Sequence, residues 1–199
     1  MARLISDFTA PPVLAVPLFT LLSVYDQNHS GGGDGLDLLT RLFFSITFGV
    51  TIPTVFIIFL FSRRKVTDLH ISVRQQRNVP YLITIISYFV GFGLIYGIIG
   101  PGVLAAVMLS SAINNTVLAL INLYWKISAH AIGISTPLTI LSLLFGWLIL
   151  PLFIFVPVVN WARVQLKAHT LGQVTAGSLL GFGLTFVQLY FIFRPLGWF

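Results

Sequence analysis

The chain has no cysteine and no glutamate, and charged residues make up only 8 % of its 199 positions. Without cysteine there can be no disulfide, no thiolate metal site and no cysteine nucleophile. The only acidic residues are Asp7, Asp26, Asp34, Asp37 and Asp68. They are scattered. No apolar span carries the paired carboxylates that ion coupling in a transporter requires. No cluster offers the carboxylates that a divalent ion requires, so neither a metal nor another cofactor is expected. One arginine and Asp7 precede the first apolar run, and no small-x-small cleavage site stands out. No removable signal peptide is therefore read.

What is present is overwhelmingly apolar. Hydrophobic residues make up 57 % of the chain, 18 of them phenylalanine, and the mean hydropathy is +0.97. A soluble domain of this size could not hide so much apolar surface from water. The composition predicts an all-α, polytopic transmembrane helical bundle, residues 1–199 forming one integral membrane domain. About seven spans are expected, six if one of the weak ones fails. They run from about Pro11 to Tyr25, Leu38 to Phe61, Pro80 to Ile99, Val103 to Tyr124, Ser128 to Gly146, Trp147 to Trp161 and Thr170 to Phe193. Pro53 is expected to kink the second, and Pro151 and Pro157 mark the short sixth. Gly100-Pro101-Gly102 reads as a tight reversal. Gly31, Gly32, Gly33 and Gly35 form a flexible turn, not a phosphate cradle, because no Gly-Lys-Ser/Thr follows. Two glycine pairs, Gly93 with Gly97 and Gly177 with Gly181, are expected to let helices pack closely. Asn28-His29-Ser30 and Asn114-Asn115-Thr116 match the glycosylation pattern; the second lies inside a span, where the modification cannot occur.

The net charge of +6 is gathered in a few boundary loops. Nucleic acid is excluded as a partner, because no extended basic face can leave the membrane. Anionic headgroups or a phosphate substrate suit the pattern better. Three clusters stand out: Arg74-Gln75-Gln76-Arg77, Lys126-Ile127-Ser128-Ala129-His130, and Arg163 with His169 and Gln173. Two spans separate each cluster from the next, so all three face the same side. That side also holds Arg3, Arg63, Arg64, Lys65 and Lys167, leaving only Arg41 and Arg194 opposite. The positive-inside rule makes it cytoplasmic, with the N-terminus on that side and the C-terminus outside. The location expected is a bacterial inner membrane.

The residue types suit phosphoryl chemistry. Guanidinium forks grip phosphate oxygens, and an imidazole can attack phosphorus once a neighbour fixes its tautomer. His169 and Gln173, four apart at the start of the seventh span, are expected on one helix face. The Gln173 carbonyl would then accept the Nδ1 proton and leave Nε2 free. His130, at the start of the fifth span, has helix N–H groups beside it for an anion.

Arg163-x5-His169-x3-Gln173 resembles the third signature of the type 2 phosphatidic acid phosphatase superfamily, Ser-Arg-x5-His-x3-Asp. Ile127-Ser128-Ala129-His130 resembles its second, Pro-Ser-Gly-His. The basic run with Arg74, Arg77 and Pro80 resembles a degraded first, Lys-x6-Arg-Pro. The resemblance covers about residues 65–185. It implies a metal-independent lipid-phosphate phosphatase acting on a phosphatidate, a prenyl phosphate or a similar amphiphile. His169 would be the nucleophile, oriented by Gln173, and His130 the general acid. Arg163 with Arg74 or Arg77 would clamp phosphate, helped by Ser128 and Lys126. Gln173 in place of aspartate, and Ala162 in place of serine, depart from the pattern. The alternative they raise is an inactive phosphatase-fold subunit of a larger membrane complex, or a homo-oligomer, holding lipid or pigment structurally. Bland roles are expected elsewhere: Arg63, Arg64, Lys65 and Lys167 as topology determinants, His29 as a surface group, and His70 as part of a loop that Asp68 and Arg74 help to fold.

Overall fold

The computed structural model describes residues 1–29 and 35–199, so Ser30, which completes the first glycosylation pattern, and Gly31, Gly32 and Gly33 lie outside the described residues. All regular structure among the described residues is helical. The helices are α1 (Ala2–Phe8), α2 (Pro11–His29), α3 (Gly35–Ile46), α4 (Ile52–Ser62), α5 (Asn78–Ile98), α6 (Val103–Tyr124), α7 (Ala129–Phe145), α8 (Phe155–Gln165) and α9 (Leu171–Phe186). A π-turn, Thr47–Thr51, joins α3 to α4, and a second, Val187–Phe193, extends α9. Short 3-10 segments occupy Arg74–Arg77 and Gly146–Ile154.

Five helical stretches are long and apolar enough to cross a membrane: Gly35–Ser62, Arg74–Ile98, Val103–Tyr124, Ala129–Gln165 and Leu171–Phe193. A sixth results if α1 and α2, bent by 40°, are taken together. Leucine, isoleucine and valine side chains such as Val55, Leu82, Ile86, Leu120 and Leu179 point outward. An outer surface of that kind belongs against lipid, and the chain is an integral membrane protein.

The difference from seven spans lies in residues 129–165, read from the sequence as two spans but helical throughout. Gly146 breaks its direction with φ 66°, the left-handed region that suits glycine. Beyond it α8 packs back along α7, and Ile134 and Leu138 share one apolar cluster with Val156 and Val159. Pro151 has no N–H to give to an α-helical ladder, and the segment around it winds as a 3-10 helix. At about 2.0 Å per residue, against about 1.5 Å in α8, this return limb extends for about 35 Å, enough for hydrocarbon about 30 Å thick.

Pro53, expected to kink the second span, has a compensated defect. Pro53 offers no N–H to the Gly49 carbonyl, and the Tyr88 hydroxyl donates to that carbonyl instead at 3.1 Å. Ser87 does the same for Phe48 at 2.6 Å. Freed carbonyls inside a membrane need such partners. Of the glycine pairs, Gly177 and Gly181 do hold two helices close. A Cβ at Gly177 would lie 2.8 Å from the Ser128 carbonyl oxygen, and one at Gly181 would lie 2.9 Å from the Ser135 Cβ. Gly93 and Gly97 do not: nothing lies within 4 Å of either, because that face of α5 turns outward. Gly91 takes the packing role, with Phe48 Cβ 2.6 Å from where its own Cβ would be.

The contacts fix which ends meet. Ser6 of α1 reaches Arg163 at the end of α8, and Arg77 reaches Ile127 before α7. At the other end Asp26 of α2 meets Arg41 of α3 and the start of α6, and Trp198 stacks on Tyr96 of α5. The first group of contacts defines the site end and the second the far end. The chain begins at one and finishes at the other. The lysines and arginines divide as the parity argument requires.

Candidate functional site

At the site end the bundle opens into a cavity of about 540 Å³. Its mouth carries Asp7, His70, Arg77, His130 and His169, and its walls are apolar side chains of α2, α4, α5, α6 and α7, among them Phe19, Ile57 and Leu118. The deepest part is polar again, with Tyr88, Asn114, Asn115 and Thr136. From Arg77 to Tyr88 along α5 the depth is about 16 Å. That is roughly half the hydrocarbon thickness. A polar mouth over an apolar shaft is the shape of an amphiphile, headgroup first.

Arg77 and Arg163 are 4 % and 3 % exposed, and His130 and His169 are 5 % and 6 % exposed. Arg77 donates to two backbone carbonyls, Ile71 at 2.7 Å and Ile127 at 3.2 Å. Arg163 donates to the Ser6 hydroxyl at 2.5 Å, and its Nε finds no partner. Among the described residues neither guanidinium has a carboxylate within 4.0 Å; the ion pairs there are Arg41 with Asp26 and Asp37, and His70 with Asp7. The buried Nε2 of His130 has no hydrogen-bond partner either. Asp68 and Asp7 act on Arg163 only from beyond contact distance, and burying a charge without a contacting partner costs several kcal/mol. A site built this way gains from any anion that enters it.

His169 Nδ1 lies 3.1 Å from Gln173 Oε1. With the Nδ1 proton donated there, Nε2 keeps its lone pair. Burial, with Arg77, Arg163 and Lys126 around it, pushes the imidazole down to about 3, so the ring is neutral at pH 7. The expected shared helix face is corrected, however. His169 precedes the helix, because Thr170 is the N-cap of α9 and α9 starts at Leu171. Thr170 and Gln173 form a capping box: the Thr170 hydroxyl accepts from Gln173 N at 3.3 Å, and Gln173 Oε1 accepts from Thr170 N at 3.2 Å. Gln173 thus reaches back over the cap and serves the helix and the imidazole with one oxygen.

The remaining sequence candidates divide. Arg77 lines the cavity; Arg74 does not, and its guanidinium is spent on the Asn122 carbonyl at 2.7 Å and on the Leu123 carbonyl. These are orphan carbonyls at the end of α6, which a cation caps well. Ser128 is the N-cap of α7, its buried hydroxyl accepting from Ala131 N at 3.3 Å, so it faces the helix rather than a ligand. Lys126 donates to the Ala168 carbonyl at 2.8 Å. It is held below the ordinary lysine value, first by burial and then by Arg77 and Arg163. Arg163 and Gln173 stand behind the lining rather than in it.

Sequence reasoning missed α1 and the place of His70. Ser6 and Asp7 lie on one turn of α1, which packs on α8. The segment carrying His70 is folded by Asp68, whose carboxylate accepts from Ser72 N and the Thr67 hydroxyl, both at 3.1 Å. Burial works against that carboxylate, yet these bonds and one from the His70 backbone hold it below its ordinary value. The available signal was Asp68, His70, Arg74 and Arg77 together in the longest polar stretch of an apolar chain. Among the described residues no three His, Asp or Glu side chains group so as to hold a metal ion. Comparison of the chain with family models, with curated proteins and with solved structures returns no match.

Proposed function

We propose that the chain is a membrane phosphoesterase of the type 2 phosphatidic acid phosphatase kind. It takes a phosphate-headed amphiphile at the site end, which faces the cytoplasm of a bacterial cell. The observation that carries the reading is the pair of buried, carboxylate-free arginines beside buried histidines at the head of an apolar cavity. A phosphate dianion would supply the missing counter-charge, and its chain would fill the shaft.

In this reading His169 Nε2 attacks phosphorus, Gln173 fixing the tautomer. Arg77 clamps the equatorial oxygens, with Arg163 adding its field from behind. The departing alkoxide takes a proton from His130 or His70. Purified protein in detergent should release inorganic phosphate from dodecyl phosphate or phosphatidate, and Gln173→Asp should raise the rate about a hundredfold by stabilising the imidazolium. The second reading is an inactive scaffold holding a lipid phosphate. It is favoured by the engagement of Gln173 in a helix cap, where a neutral amide stabilises no charge. No release by wild type or by Gln173→Asp, with phospholipid still co-purifying, decides for that second reading.

A further inference from the structure

Three imidazoles, not two, line the mouth of the cavity. The third, His70, lies between α4 and α5. Its Nε2 is 2.9 Å from Asp7 Oδ1, and its ring centroid is 5.3 Å from that of His130. About a third of its side chain is exposed. His130, by contrast, is only 5 % exposed.

We propose that His70, oriented by Asp7, is the general acid and base of this site, a role that the family resemblance gives to His130. The proposal rests on the phosphoesterase reading above. A group that protonates an alkoxide must hold a proton and regain it from water after each turnover. Of the three imidazoles, only His70 has a carboxylate partner among the described residues. The Asp7 carboxylate holds Nε2 and leaves Nδ1 as the nitrogen for proton transfer, whereas burial, with the guanidiniums around it, keeps the His169 ring neutral. His70 also reaches water directly.

The steps balance. The His169 Nε2 lone pair forms the N–P bond as the P–O bond to the alkyl chain breaks, and the proton on His70 Nδ1 passes to the alkoxide. A water then gives a proton back to Nδ1 while its oxygen bonds to phosphorus. The N–P electron pair returns to His169. The products are the alcohol and inorganic phosphate.

The test compares two leaving groups in the first turnover of purified protein: dodecyl phosphate, read as dodecanol, and 4-nitrophenyl phosphate, read as the nitrophenolate burst. Nitrophenolate departs without a proton and an alkoxide does not. His70→Gln should slow dodecanol release about 10²- to 10⁴-fold and change the burst by less than about tenfold. Asp7→Asn should lower kcat on dodecyl phosphate with KM unchanged, and Asp7→Glu should restore it. Equal slowing of both esters by His70→Gln, or no slowing, overturns the assignment. So does His130→Gln if it alone separates the two esters. Wild type that releases neither product overturns the phosphoesterase reading and this proposal with it; wild type that turns over while His70→Gln is unaffected overturns only the proposal.

Discussion

At the far end of the bundle Arg41 is 4 % exposed and its guanidinium meets two carboxylates, Asp26 and Asp37. At the site end Arg77 and Arg163 are buried as deeply and meet none. The far-end group is complete: Asp26 also accepts from Leu104 N at 3.1 Å, capping α6. Charge there joins α2, α3 and α6. In the phosphoesterase reading, the site end leaves its positive charge for a ligand. Burial alone therefore does not distinguish the two ends; a carboxylate in contact with the buried arginine does.

The contrast can be tested from both ends. The largest effect expected is on chemistry: His169→Ala should lower phosphate release at least about a thousandfold while the protein keeps its helical circular dichroism. A paired stability measurement comes next. Asp26→Ala leaves a buried arginine short of its partner and should cost about 3–5 kcal/mol in detergent unfolding. Arg163→Met removes a charge with no carboxylate and should leave stability unchanged or higher, while abolishing stabilisation by orthovanadate. Equal losses from the two variants would erase the distinction between the ends.

Orthovanadate itself, at about a hundred times its Kd, should stabilise wild type by about 2.7 kcal/mol and raise its melting temperature. Acid should act in a graded way. The His169 imidazole lies near 3 in the folded protein against 6.5 ordinarily. Its contribution is complete above pH 6.5 and is lost as pH falls from there towards 3, because the unfolded chain binds a proton that the folded one refuses. A titration of the unfolding midpoint should show this slope, and His169→Asn should flatten it. The smallest effect is that of Ser128→Ala, about 1 kcal/mol of stability for a lost N-cap. Orthovanadate affinity should not move, since the hydroxyl faces Ala131 N.

Much of this was legible along the chain. Long apolar runs define membrane helices because hydrocarbon tolerates no unpaired backbone, and the residues at their boundaries define two ends by parity. The spacing of His169 and Gln173 put them within reach of one another. The carbonyl-to-imidazole contact is there, though made across a helix cap, and Thr170-Leu171-Gly172-Gln173 carried that cap signature in plain sequence.

Composition and periodicity determined the class, the apolar exterior and the segregation of basic residues, because those follow from local partition between lipid and water. Only the tertiary structure decided which basic residues line the cavity. Arg74 and Arg77 lie three positions apart on one 3-10 turn, yet one caps α6 and the other lines the cavity. Gly93 and Gly177 begin identical spacings, yet only the second meets another helix. Asp7 and His70 are 63 residues apart, and no pattern along the chain could pair them. Such partners are set by how helices turn about their axes and close on one another, and that depends on packing across the whole bundle.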